Sequence, residues 1–223
     1  MAEPTRIGLY GGTFDPVHVG HLEIARRLLE LFVLDEVLFV PACVAPHKTG
    51  AQVSPALHRY AMLALATQDD ERLRVSTIEL DTPGKPYSVE TVTRLRDELG
   101  QSARLFFIMG ADSWSEITAW HDWERLLTMC DHIVVTREGY EVRTSQVPSM
   151  RERITDVRGQ AAGQIRSLVA EVSARRIYIA DGVRTRVSAS SIREQVRKGR
   201  SDALAGQVAP AVADYIKKYG LYR

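Results

Sequence analysis

Only two cysteines occur in the 223 residues, Cys43 and Cys130, far apart and in no metal-type spacing. That leaves no disulfide framework and no zinc site to expect, and free thiols fit a reducing cytoplasm. No apolar run approaches the length of a membrane span. Residues 1–6 lack the apolar region of a signal peptide, so the reading is a soluble, cytoplasmic chain with no membrane partner. An excess of one charge sign is missing too: 29 basic residues against 28 acidic ones leave a net +1. A dedicated nucleic-acid surface or an acidic-lipid binder needs a basic surplus, so neither is expected. Two common phosphate-binding fingerprints are absent as well. Gly8, Gly11 and Gly12 do not form Gly-x-Gly-x-x-Gly, and no P-loop Gly-Lys-Ser/Thr follows.

What remains is an ordinary globular composition, 45% hydrophobic and 26% charged. The length suits one large core, read as a single domain over 1–223. Short β-like runs alternate with amphipathic helical stretches. Strands are predicted at 6–10, 36–40, 73–78, 104–109, 133–136 and 177–180. Helices are predicted from about residue 20 through Phe32, at 55–67 with Ser54 as N-cap, and at 88–99 capped by Ser88 and stopped by Gly100. Further helices follow at 123–129, near 165–172, at 190–198 and at 210–219. Such alternation implies an α/β fold, a Rossmann-like doubly wound parallel sheet with helices on both faces. Ligands in such folds bind beyond the carboxyl ends of the strands. Residues 141–175 are the least legible stretch. They read as a peripheral helical elaboration or as a contact between copies in a homo-oligomer.

The most informative segment is Gly11-Gly12-Thr13-Phe14-Asp15-Pro16-Val17-His18-Val19-Gly20-His21, between the first strand and the first helix. Adjacent glycines let the backbone turn sharply and approach a bulky anion. The helix start beyond them offers unpaired N–H groups and the positive end of a dipole. His18 and His21 flank Gly20, so two imidazoles and bare backbone can face one phosphate group. Two packed or exposed histidines are the plain alternative, and metal ligation lacks a third ligand nearby. A second cluster, Val187-Ser188-Ala189-Ser190-Ser191-Ile192-Arg193, opens a late helix. Its hydroxyls and Arg193 can bind a phosphate chain by charge-assisted hydrogen bonds; an ordinary serine cap with a solvated arginine is the alternative.

Together these two segments resemble the nucleotidyltransferase superfamily of the (H/T)-x-G-H type, whose second signature reads Ile-Ser-Ser-Thr-x-Ile-Arg. Within it the chain is similar to the bacterial nicotinate-nucleotide adenylyltransferase family. The resemblance runs through Val40-Pro41, Pro46-His47-Lys48, Pro86-Tyr87-Ser88, Gly110-Ala111-Asp112-Ser113, Trp120 and Arg137-Glu138-Gly139-Tyr140, to Gly220-Leu221-Tyr222-Arg223. Val187, Ala189 and Ser190 depart from the second signature, and Ala189 lacks a hydroxyl, so it is given no side-chain phosphate contact.

The resemblance implies transfer of AMP from ATP to nicotinate mononucleotide, yielding nicotinate adenine dinucleotide and pyrophosphate. His18 and His21 would be the catalytic pair. Gly11, Gly12, Thr13 and Phe14 with Ser190, Ser191 and Arg193 would hold the phosphates of ATP. Lys48, Ser88, Asp112, Trp120, His121 and Arg137 would meet the mononucleotide. Trp120 would stack on the pyridine ring, unless it is a core tryptophan beside Trp114 and Trp123. Mg²⁺, held mainly by phosphates and water, needs no protein cage. A related transferase acting on another phosphorylated acceptor such as phosphopantetheine, and a non-catalytic nucleotide sensor, are the competing readings.

Overall fold

Seven strands lie side by side, all parallel, in a computed structural model that describes residues 4–43, 53–82, 84–100, 102–136, 142–171, 174–183 and 187–223. In chain order they are β1 (Thr5–Gly12), β2 (Glu36–Pro41), β3 (Leu73–Val75), β4 (Ala103–Gly110), β5 (Asp131–Thr136), β6 (Ile154–Asp156) and β7 (Ile177–Asp181). Their spatial order is β3-β2-β1-β4-β5-β7-β6, so the winding reverses between β1 and β4. The helices are α1 (Val19–Leu31), α2 (Ala56–Thr67), α3 (Ser88–Leu99), α4 (Ala111–Ser115), α5 (Trp123–Met129), α6 (Ala162–Glu171), α7 (Ala189–Arg197) and α8 (Pro210–Tyr219). The doubly wound α/β architecture expected from the strand–helix alternation is the one observed.

Two cores explain the unbroken apolar strands. In β4, Phe106 and Ile108 join the layer under α1, α2, α6, α7 and α8, while Leu105, Phe107 and Met109 join the layer under α3, α4 and α5. Alternate residues of one strand thus serve opposite faces, and from Leu105 to Met109 every position is apolar. α1 buries Leu22, Ala25, Leu28 and Leu29 along one stripe and leaves Glu23 and Arg26 exposed. α3 begins with a capping interaction, the Tyr87 N–H donating to Glu90 Oε2 at 2.8 Å. It ends at Gly100, whose φ of 71° favours glycine.

Several boundaries differ from the sequence reading, each for a local reason. Ser54 is not the cap of α2; Pro55 holds that position, and the Ser54 N–H donates to Asp15 instead. Ser88 is the first helical residue of α3, with Tyr87 in the cap position. The third strand stops at Val75: the Ser76 N–H still donates to the Phe39 carbonyl of β2, but its hydroxyl accepts from the Ile78 N–H and turns the chain away. β6 is only three residues long, too short to show a period. Within the stretch read as peripheral, Val157, Ile165 and Val169 are core residues. Among the described residues no helix is long and apolar enough to cross a membrane.

His132 of β5 is fully buried, its Nδ1 3.1 Å from the Cys130 carbonyl and its Nε2 without a partner among the described residues. A carbonyl only accepts, so Nδ1 carries the ring's proton. Burial pushes the imidazole's pKa down to about 3, with the Cys130 carbonyl opposing and Arg153 assisting. The unfolded chain therefore takes up this proton first. Stability from the neutral ring is complete above pH about 6.5 and is lost as pH falls toward about 3, at up to ~1.4 kcal/mol per pH unit. Urea denaturation at pH 7, 5 and 4 should show His132→Leu with a shallower decline than the wild type. Equal slopes would remove His132 as the cause.

Candidate active site

The reversal of winding places the ends of β1 and β4 side by side, and their loops diverge to open a crevice. A cavity of about 320 Å³ lies there. Gly11, Gly12 and Thr13 line one wall; Ser88, Trp120 and His121 line the other. Six of the residues singled out from the sequence thus share one cavity. Gly12 is required by its neighbour: a Cβ there would sit 2.8 Å from the Phe14 ring. Phe14 itself has φ 50° and is buried, its ring edge-on to Tyr10, Phe39 and His21. That packing offsets the roughly 1–2 kcal/mol cost of a left-handed bulky residue. The Phe14 side chain is a support beneath His21, so the residue can meet a phosphate through its backbone alone.

His18 caps α1 and is nine-tenths buried. Its N–H donates to His21 Nδ1 at 3.2 Å, and the two rings stack at 3.8 Å. An accepting Nδ1 places the His21 proton on Nε2, which makes that nitrogen a donor. The late cluster reaches the same loop, beside the cavity that neither it nor His18 and His21 line. Ser188 caps α7 by accepting from the Ser191 N–H at 3.2 Å, and Ser190 is exposed at the helix start. Arg193 Nη1 donates to the Asp15 carbonyl at 2.7 Å, three residues before His18. Two helix starts, 170 residues apart in sequence (His18 to Ser188), therefore adjoin across the Phe14-Asp15-Pro16 loop. Helix starts and guanidinium groups are what a polyanion binds.

Arg59, which the sequence reading passed over, holds this region together. Fully buried on α2, it donates to the carbonyls of Thr13 (2.8 Å), Ala42 (2.6 Å), Ser54 (2.9 Å) and Cys43 (3.3 Å). Burial lowers its pKa, and Asp15 nearby opposes that shift. Asp15 is equally buried: Oδ2 accepts from the Ser54 N–H at 3.1 Å and Oδ1 from the Tyr222 hydroxyl at 2.7 Å. Desolvation first, then the Asp15 charge, pushes the Tyr222 phenol well above its usual range, so it remains a donor. One signal for Arg59 was available. It shares a helix face with the apolar Met62 and Leu63, three and four residues on, where a solvated arginine does not belong.

The other wall of the cavity separates three tryptophans by role. Trp114 is the core residue, with Nε1 donating to the Arg143 carbonyl at 2.8 Å. Trp123 is partly buried against the same layer, whereas Trp120 lines the cavity with its edge to Phe107. Tyr87 and His121 stack at 4.2 Å. Glu79 also lines the cavity, accepting from the Thr91 hydroxyl at 3.0 Å and the Cys43 N–H at 3.3 Å. Burial raises its pKa, and those two donors oppose the rise. Asp112 is exposed in the first turn of α4 and does not line the cavity; its neighbour Ser113 does. Lys48 and Arg137 lie outside the described residues.

Comparison with known proteins agrees with this geometry. The cytidylyltransferase-like family pattern matches residues 9–195. A protein of Thermoanaerobacter sp. (strain X514) named "probable nicotinate-nucleotide adenylyltransferase" is 37% identical over 223 residues, covering 100% of this chain and 97% of that one. A Thermus thermophilus protein of the same name is 38% identical over 218 residues, covering 98% of this chain and 100% of that one. Among solved structures, Plasmodium falciparum nicotinic acid mononucleotide adenylyltransferase complexed with NaAD aligns with TM-score 0.72 at 18% identity, covering 98% of this chain and 97% of that one. At that identity the likeness establishes the fold.

Replacing Arg59 should unfasten three loops at once. Arg59→Met leaves its acceptors buried without a donor, and urea denaturation should report a loss of about 3 kcal/mol or more. Arg59→Lys should recover less than half of it, since one ammonium lacks the planar fork. A loss below about 1 kcal/mol would mean that these carbonyls find other donors.

Proposed function

The chain belongs to the cytidylyltransferase-like family and, within it, to the nicotinate-nucleotide adenylyltransferases, and from that membership we propose that it transfers AMP from ATP to nicotinate mononucleotide. The products are nicotinate adenine dinucleotide and pyrophosphate. The observation that carries this reading is the junction of the two helix starts through Arg193 and the Asp15 carbonyl, next to a cavity walled by Trp120. The free thiols of Cys43 and Cys130 suit a cytoplasmic setting for the reaction.

A phosphate oxygen of the mononucleotide attacks the α-phosphorus of ATP. The bond from that phosphorus to the bridging oxygen breaks, and pyrophosphate departs with the electron pair. The attacking oxygen is already anionic at neutral pH, so no general base is required. The protein's task is to align two anions and stabilise charge as it moves onto the leaving group. His21 Nε2–H, directed by the His18 N–H bond to Nδ1, donates to a phosphate oxygen, and His18 flanks it. The backbone of Gly11 through Phe14 lies close to the α- and β-phosphates. Ser190, Ser191 and Arg193 meet the β/γ end. Trp120 stacks on the pyridine ring, and Ser88 with the backbone near His121 receives the carboxylate. Asp112, beside the cavity-lining Ser113, lies near the acceptor's ribose, Lys48 lies near a phosphate, and Arg137 orients the acceptor.

Magnesium enters this scheme with its nucleotide. Among the described residues no group of three or more His, Cys, Asp or Glu side chains could hold a metal. Asp15, the carboxylate nearest the phosphate loop, already uses both oxygens on Ser54 and Tyr222. Mg²⁺ arriving as part of the ATP substrate would be held by phosphate oxygens and water and would neutralise charge on the phosphate chain.

Pyrophosphate release assayed with ATP and each mononucleotide tests the scheme. The acid should be favoured over the amide by about tenfold or more in kcat/KM, because a neutral amide cannot draw charge-assisted bonds. Equal use of both would overturn acid specificity; no turnover with either, despite ATP binding by calorimetry, would favour a sensor. His18→Ala should lower kcat by about a hundredfold or more, the typical cost of one preorganised donor. A near-normal rate would take His18 out of the mechanism.

A further inference from the structure

Behind the phosphate end of the site runs a hydrogen-bond relay between α7 and the segment leading into α8. Gln207 Nε2 donates twice, to the Ala203 carbonyl at 2.5 Å and to Gln195 Oε1 at 2.8 Å. A backbone carbonyl only accepts, so the Gln207 amide has a single orientation. That makes Gln195 Oε1 the acceptor and turns Gln195 Nε2, a donor, onto Ser191 Oγ at 3.3 Å. The Ser191 oxygen thus receives a hydrogen bond from behind, and its own O–H proton points away from Gln195. Gln207 also reaches the other helix, its carbonyl accepting the Val19 N–H at the start of α1 at 2.9 Å. One residue ties both helix starts, and the polarity of every bond in the relay follows from one carbonyl.

We propose that Gln195 and Gln207 are positioning residues: they aim the Ser191 hydroxyl as a donor to the triphosphate and keep the starts of α7 and α1 in register. The inference rests on the adenylyl-transfer reading, in which Ser191 meets the β/γ phosphates. A hydroxyl rotates to suit its surroundings, and one aimed in advance needs no reorientation when the anion arrives.

Four variants test it: Gln195→Met, Gln195→Glu, Ser191→Ala and the double variant Gln195→Met/Ser191→Ala. Methionine keeps the length and removes both polar ends. Glutamate still accepts from Gln207 but offers Ser191 an acceptor, which draws the hydroxyl proton back. Each single variant should lower kcat/KM for ATP about fivefold to tenfold, with Gln195→Glu at least as impaired as Gln195→Met. KM for nicotinate mononucleotide should stay within about twofold, and the double variant should be no worse than Ser191→Ala alone. A purely structural role would instead lower the thermal midpoint and leave these kinetic ratios unchanged. Gln195→Met within about twofold of wild type, or losses that multiply in the double variant, would overturn the proposal. Wild-type protein that releases no pyrophosphate would overturn the adenylyl-transfer reading instead. The relay is then judged by affinity for a non-hydrolysable ATP analogue, where the same pattern across the four variants is required.

Discussion

A buried guanidinium is the constraint on which the rest of this site depends. Where parallel strands end, the chain has carbonyls that no neighbouring strand can satisfy, and a crevice between loops is a poor place to leave them bare. Arg59 answers for four of them, drawn from the loop after β1, the loop after β2 and the entry to α2. Its charge is balanced by Asp15, whose carboxylate takes Ser54 and Tyr222 and whose carbonyl takes Arg193. His18 stands three residues further along. The geometry of this loop is thus set from beneath, by Arg59, Asp15 and Tyr222.

This arrangement also reconciles a nearly neutral chain with a polyanionic substrate. With a net charge of +1, the protein has little long-range field to draw nucleotides. In the proposed scheme attraction comes instead from oriented N–H groups, a fixed imidazole tautomer and one guanidinium, all short-ranged and held in place before binding. The cavity proposed to take the mononucleotide is built differently, from Trp120, the stacked Tyr87 and His121, and the first turn of α3. In the proposed scheme, selection there combines the shape of the cavity with charge-assisted bonds to the substrate carboxylate.

The elements most legible in the sequence were those whose burial shows as a period. β1, β4 and β5 read as continuous apolar runs because both faces are covered, and α1 showed its stripe. The two helix-start segments stood out because glycine, histidine and serine at a strand–helix junction combine several independent signals, and the structure brings them together. What escaped detection was tertiary. Nothing local to Asp15, Arg59 or Tyr222 marks them as one cluster, since their partners lie up to 207 residues away. β6 pairs at the sheet edge with too few residues to leave a pattern. Ser54 has the chemistry of a helix cap, yet Asp15 and Arg59 engage its backbone instead.

The fit between Gly12 and Phe14 reaches into how this loop can evolve. The aromatic ring occupies the volume that any side chain at position 12 would claim, while also bracing His21. Enlarging the first residue alone produces a collision, and shrinking the second alone opens a void under the imidazole. Neither single step is neutral, so drift away from this pair requires both codons to change together. The loop is constrained by crowding as much as by chemistry.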